Sequence, residues 1–334
     1  MKNPHAKPTG FAMRSYGLSC TFAMLSLWFS SAGATQEQDE ALFAAAKRGD
    51  LAQVQMLLNA GADPDAVLDL PTSPRTPITV AILSGSLPVV QALVDAGADL
   101  ERTVKGEETP LTAAAAAGNE AIASWLLEAG EKPDHSRRGD GSPLIAAAKH
   151  GHEGVGELLL QAGADPNLVV SGDGSPLIAA VNNGHSDFVE MLLANGADPD
   201  AGARSDASPL IIAARRGDEQ MMEALLAAGA KVDTAVTGDG NPLIGAVRSQ
   251  DLAVVRLLLE HGADVNQHVR YDDTPLINAV RTGNPELVSL LLTRGADANL
   301  PGDRAGLKRR TPLNQVSNED STIHQLLVSA GATK

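Results

Sequence analysis

An all-α solenoid of about nine helix-turn-helix units with β-hairpin loops is the fold class that this 334-residue sequence predicts. Three observations carry it. A Ser/Thr/Asn-Pro-Leu/Ile tripeptide recurs every 33 residues from Thr76-Pro77-Ile78 to Thr274-Pro275-Leu276, and once more at Thr311-Pro312-Leu313 after a gap of 37. Gly-Ala closes the units at 61, 97, 163, 196, 229, 262, 295 and 331, with Gly130-Glu131 in the one missing place. The stretch between these marks has the spacing of two short amphipathic helices. A fixed period of this length excludes ordinary globular folds.

The first 15 residues hold Lys2, Lys7 and Arg14 and no acid, and an apolar run from Tyr16 to Phe29 leads to Ala32-Gly33-Ala34. A basic start, a short apolar core and an A-x-A site predict a secretory signal peptide over 1–34, cleaved after Ala34. The run is short for a membrane span, which needs about 20 residues. An uncleaved anchor stays open as the alternative. Cys20 precedes most of the apolar run, which excludes a lipoprotein site there. Cleavage removes three of the 26 basic side chains and none of the 41 acidic ones, so the remainder, 35–334, carries −18. It also removes the one cysteine, which suits an oxidising compartment. The expected location is the bacterial periplasm, with secretion as the alternative. So acidic a chain repels nucleic acid over its general surface.

The first unit, Glu40 to Asp63, lacks the tripeptide, as terminal repeats often do. A three-residue insertion follows within Ala66 to Arg75. The later units share one logic, clearest from Ser175 to Asp198. Ser175 is an N-cap and Pro176 takes the first helical position, where a missing N–H costs nothing. Leu177, Ala180 and Val181 make an apolar face, and Gly184 suits the left-handed residue that ends the helix. A second helix, begun at Asp187, carries Val189, Leu192 and Leu193 until Gly196 stops it. The last loop, Leu300 to Arg310, is four residues longer and holds Arg304, Lys308, Arg309 and Arg310; a final helix is expected from Ser321 to Ser329. No linker interrupts the array, which reads as one domain over 35–334.

Catalytic and cofactor signatures are weak throughout. Gly172-Asp173-Gly174 and Gly238-Asp239-Gly240 lack the third glycine of a nucleotide loop and read as tight turns. His152 and His185 occupy one repeat position, about 10 Å apart if stacked as neighbouring helices, too far to share a metal. Ser142, Ser175 and Ser208 are caps, with no elbow motif to support a triad. The aspartates after each Gly-Ala read as loop formers. No enzyme, metal or cofactor is expected.

Together, T/S-P-L, the alanine pair after it, the glycine nine residues past the tripeptide's start and the closing L-L-x-x-G-A make residues 38 to 334 similar to the ankyrin repeat family. Two features depart from it. The family's histidine after T-P-L is replaced by Thr79, Thr112, Ile145, Ile178, Ile211, Ile244, Ile277 and Asn314, and the hairpin glycines are shifted. The resemblance implies that hairpin tips and first-helix ends line one concave side that binds a partner protein.

On that side, residues seven and eight places past the tripeptide's start form a ladder: Leu83-Ser84, Ala116-Ala117, Lys149-His150, Asn182-Asn183, Arg215-Arg216, Arg248-Ser249 and Arg281-Thr282. Fingertip cations continue it at Lys105, Arg138, Arg204 and Arg270, with Tyr271 as an aromatic anchor. Beside them runs an acidic row, Glu107, Asp140, Asp173, Asp206, Asp239 and Asp272. Helix-end cations also have a purely structural use, opposing the negative end of the dipole. Because the ladder runs against the net charge, it predicts a groove for an acidic protein segment. The implied role is a scaffold or protector of a periplasmic enzyme; the alternative is an immunity or inhibitor protein against a secreted toxin or hydrolase.

Overall fold

The computed structural model describes residues 36–69, 74–102, 104, 106–136, 141–202, 208–302, 310–318 and 321–333. The signal segment, Lys105, Arg138, Arg204, Asp140, Asp206, Arg304, Lys308 and Arg309 lie outside them. The array predicted as one domain gathers into two compact units, one ending at Val104 and the other beginning at Lys105. No helix among the described residues is long and apolar enough to cross a membrane.

The first unit opens with α1 (36–48) and α2 (Leu51–Asn59), followed by the paired strands β1 (Leu68–Asp69) and β2 (Pro74–Arg75), then α3 (Pro77–Leu83) and α4 (Leu87–Asp95). The predicted insertion therefore builds a hairpin, with Leu68 opposite Arg75 and Asp69 opposite Pro74.

Among its described residues the second unit holds one regular helix pair six times, then closes on an altered one. The pairs are α5 (Pro110–Ala117) with α6 (Glu120–Glu128), α7 (Pro143–His150) with α8 (Glu153–Gln161), and α9 (Pro176–Asn183) with α10 (Ser186–Ala194). Next come α11 (Pro209–Arg216) with α12 (Glu219–Ala227), α13 (Pro242–Ser249) with α14 (Leu252–Glu260), and α15 (Pro275–Thr282) with α16 (Pro285–Thr293). That makes six pairs in all. The last repeat differs from expectation: Leu313–Gln315 forms only a 3-10 turn before α17 (Thr322–Ser329). There the Asn314 side chain accepts from Thr311 N–H at 3.1 Å, a local bond that competes with helix.

The predicted caps are in place. Thr109, Ser142, Ser175, Ser208, Asn241 and Thr274 each accept from the backbone N–H three residues on, with proline following. The second helix of the Ser175 repeat begins at Ser186, with His185 at the N-cap position but making no side-chain cap bond, one residue before the predicted start at Asp187. Leu177, Ala180, Val181, Phe188, Val189 and Leu192 are all fully buried. The isoleucines that replace the family's histidine are buried too, from Ile145 to Ile277, so packing stands where a polar network would.

Gly118 and Gly151 show why the ninth position is glycine. Each takes a φ of +71°, and an added Cβ would lie 2.6 Å from the Nδ1 of His152 or His185 in the next repeat. Those histidines are oriented by their other nitrogen: Nε2 of His152 donates to Ala116 O at 3.1 Å, and Nε2 of His185 donates to Lys149 O at 3.2 Å. They satisfy the orphan carbonyls at the end of the preceding first helix.

The aspartates after Gly-Ala have an equally specific use. Asp165 Oδ1 accepts from Asn167 N–H at 2.9 Å, while the N–H of Asp165 donates to Asp134 of the repeat before at 3.1 Å. The same rung recurs from Asp198 to Asn167, Lys231 to Asp200, Asp264 to Asp233 and Asp297 to Asn266. Fingertips close as hairpins, with bridges at Val170–Gly174 and Val236–Gly240.

Candidate functional site: the arginine row and its fingertips

The last turns of α11 and α13 each end beside the fingertip of the following repeat. In α11, Arg215 donates from Nη2 to Asp239 Oδ1 at 2.7 Å and to Asp239 O. One repeat on, Arg248 donates from Nη2 to Asp272 Oδ1 at 2.8 Å and Oδ2 at 3.1 Å, and from Nε to Asn278 Oδ1 at 3.2 Å. Both pairs span 24 residues. The predicted basic ladder and the predicted acidic row therefore meet, and each arginine clasps the next fingertip.

Arg281 breaks the pattern. Residue 305, which stands 24 places on, is alanine. Arg281 turns instead to Asp273, whose Oδ2 also accepts from Arg310, at 3.1 and 3.0 Å. Asp273 is only 2% exposed, and two guanidinium partners repay its desolvation. The N–H of Asp273 donates to Asp272 Oδ1 at 2.8 Å, and Asn278 Nδ2 donates to the carbonyls of Asp273 and Thr274. Arg248, Asn278, Arg281 and Thr282 line a polar cleft of about 350 Å³ over this network.

The other predicted site residues divide by role. Arg216 caps the preceding repeat, donating from Nη1 to Asn182 O at 3.0 Å. Asn183 bonds back to Ala179 O at 2.8 Å. Lys149 and Asn182 are exposed. At the fingertip, the Arg270 guanidinium carbon sits 4.7 Å from the Tyr271 ring centroid. Tyr271 has a φ of +65° and is 44% exposed, standing where Gly172 and Gly238 stand in other repeats. A bulky residue in that conformation is strained.

Asn278, Asp273 and Arg310 were not singled out as site residues by the sequence. A signal for Asn278 exists, because its place four residues past the tripeptide's start holds Val80, Ala113, Ala146, Ala179, Ile212 and Gly245 in the repeats before it, with Gln315 in the irregular last one. A buried amide in such a series marks a local network.

Comparison with known proteins agrees with this geometry. A family model of ankyrin repeats in three copies matches residues 15–104, 42–137, 101–170, 177–269 and 210–301. No curated protein matches the chain. Among solved structures, the human ASB11 ankyrin repeat domain is 27% identical with a TM-score of 0.60, over 67% of this chain and 98% of that one. Periodic caps, left-handed glycines, rungs and fingertips all fit those matches, and the chain belongs to the ankyrin repeat family.

Proposed function

We propose that the protein is exported to the periplasm and binds an acidic segment of a partner protein along the arginine row, as scaffold or protector of a periplasmic enzyme. Ankyrin repeats are in general protein-interaction modules, not enzymes. The observation that carries the finer reading is the half-exposed, pre-ordered state of the row. The Arg215, Arg248 and Arg281 side chains are 35%, 40% and 46% exposed, and each is fixed at one end by a carboxylate, the first two at a fingertip and the third by buried Asp273. A guanidinium has five donors, so one end can hold the fingertip while the other meets a carboxylate. Holding the side chain in advance lowers the entropy cost of binding. Strained, exposed Tyr271 beside Arg270 adds an aromatic anchor. Export is supported by the basic start, the apolar run and the Ala32-Gly33-Ala34 site.

The test is a pull-down of the exported protein from periplasmic extract, washed at low and high salt, with N-terminal sequencing of the bait. A bait beginning at Thr35 and a single partner released by salt are expected. A mature N-terminus before residue 30 overturns export, and an empty low-salt eluate overturns a stable protein partner. Inhibition of a captured hydrolase or toxin replaces the protector role with an inhibitor.

A further inference from the structure

Within the first compact unit, Phe43, Lys47, Arg75, Val80, Leu83 and Ser84 line a cleft of about 350 Å³. Ser84 Oγ donates to Ala46 O at 3.3 Å and so ties the end of α3 to α1. Phe43 and Val80 are buried walls, at 7% exposure each, while Leu83 is 42% exposed at the mouth. Lys47 is exposed at the rim. Arg75 ends β2, its backbone fixed opposite Leu68, and its Nη1 is buried without a hydrogen-bond partner among the described residues. A buried donor on a charged group is costly unless something accepts from it. An apolar cavity of this size with one or two placed charges is the usual form of a small binding site.

We propose that this cleft takes an apolar side chain with a carboxylate beside it, presented by an extended peptide segment of a partner protein. The apolar group fills the space between Phe43, Val80 and Leu83. The Arg75 guanidinium turns toward the cleft so that its unpaired Nη1 donates to the carboxylate, with Lys47 adding attraction at the mouth. Leu83 and Ser84 are the first rung of the ladder whose later rungs hold Arg215, Arg248 and Arg281. The cleft contains none of those arginines and its test uses no partner protein, so it can fail while the function proposed above holds.

The test is a titration followed by methyl NMR of Val80 and Leu83 in the full chain, with no partner protein present. The probe is the peptide acetyl-Gly-Ser-Phe-Asp-Ser-Gly-amide. Saturable shifts at these methyls are expected, weakened roughly tenfold when the probe's aspartate is replaced by asparagine or its phenylalanine by alanine. Arg75→Met is expected to cause the same weakening without lowering the melting temperature, because it removes an unpaired buried donor. Lys47→Glu, on the exposed rim, weakens binding whether or not Arg75→Met folds. Equal binding of the asparagine peptide, shifts that survive both variants, or no shift at millimolar peptide each overturn the proposal. Decanoate binding more tightly than the peptide assigns the cleft to a free amphiphile and overturns the peptide source.

Discussion

The Phe43 cleft and the Arg248 cleft occupy the same place in the repeat and have opposite chemistry. Each lies between the seventh position of one repeat and the fourth, seventh and eighth positions of the next. The residues are Lys47 with Val80, Leu83 and Ser84 in the first case, and Arg248 with Asn278, Arg281 and Thr282 in the second. The position just before the tripeptide differs as well, Arg75 in one and Asp273 in the other. Asp273 holds Arg281 and Arg310 through Oδ2, whereas Arg75 leaves a buried donor unmet. The fourth position accounts for much of the contrast. Asn278 accepts from Arg248 Nε and donates to two carbonyls, so it knits the polar cleft together. Val80 can do neither and leaves an apolar wall. Two scaffold positions, the fourth and the one just before the tripeptide, thus separate a braced charged surface from an open apolar one.

The largest test of that contrast is Asp273→Ala. Two arginines lose their shared buried carboxylate, and the expected cost is about 3 kcal/mol, the low end for a broken buried pair because Arg281 is half-exposed. Urea unfolding measures it, and a loss below about 1 kcal/mol would mean that water replaces the carboxylate. Exchanging the fourth-position residues comes next. Val80→Asn puts an amide into the buried apolar wall beside Phe43 and should cost about 2 kcal/mol, while Asn278→Val should cost about 1 kcal/mol by freeing Arg248 Nε. Equal costs in both directions would show that the two clefts do not differ in polarity as described.

A repeat that lines neither cleft sets the baseline. Ser175→Ala removes the bond to Ile178 N–H, and its midpoint should fall by the equivalent of about 1 kcal/mol. The smallest effect on stability is expected from Arg215→Ala with Arg216→Ala, within about 1 kcal/mol because the Arg215–Asp239 pair is surface-exposed. The same double variant should lose partner binding. Retained affinity in a pull-down would separate the arginine row from recognition and leave it a purely structural clasp.

Much of the fold was legible because it is local. Caps such as Ser175, the proline behind each and the left-handed glycines act over three or four residues, and repetition makes them unmistakable. The end of the array was harder. Thr311-Pro312-Leu313 copies the helix signal, but Asn314 turns back on Thr311 and the following Val316, Ser317 and Asn318 do not extend a helix. The site was half legible. Both charged rows were visible, yet their pairing was not, because a bond across 24 residues depends on how repeats stack. The constant offset of Arg215 to Asp239 and Arg248 to Asp272 was the available clue. Asp273 with Arg310 left no such trace, since that pair spans 37 residues and occurs once. Arg75 was hidden for a further reason: an unmet donor is a property of its surroundings, not of its neighbours in sequence.

The rungs after each Gly-Ala fix how this chain can change its length. In regular repeats the donor and acceptor of a rung stand 31 residues apart, as in Asp198 and Asn167. Where a repeat is longer the separation becomes 34, at Asp99 and Asp65 and at Thr333 and Asn299, and the bond survives at 3.0 and 2.8 Å. Both long repeats carry their extra residues within 66–75 and 300–310, stretches that lie between donor and acceptor in the sequence. Copying or losing a whole repeat also leaves each donor facing an acceptor. A residue added inside either helix would instead rotate the closing Gly-Ala off its neighbour. Insertions are therefore tolerated at the fingertips, so a lineage can remodel the tips freely while the spine stays in step.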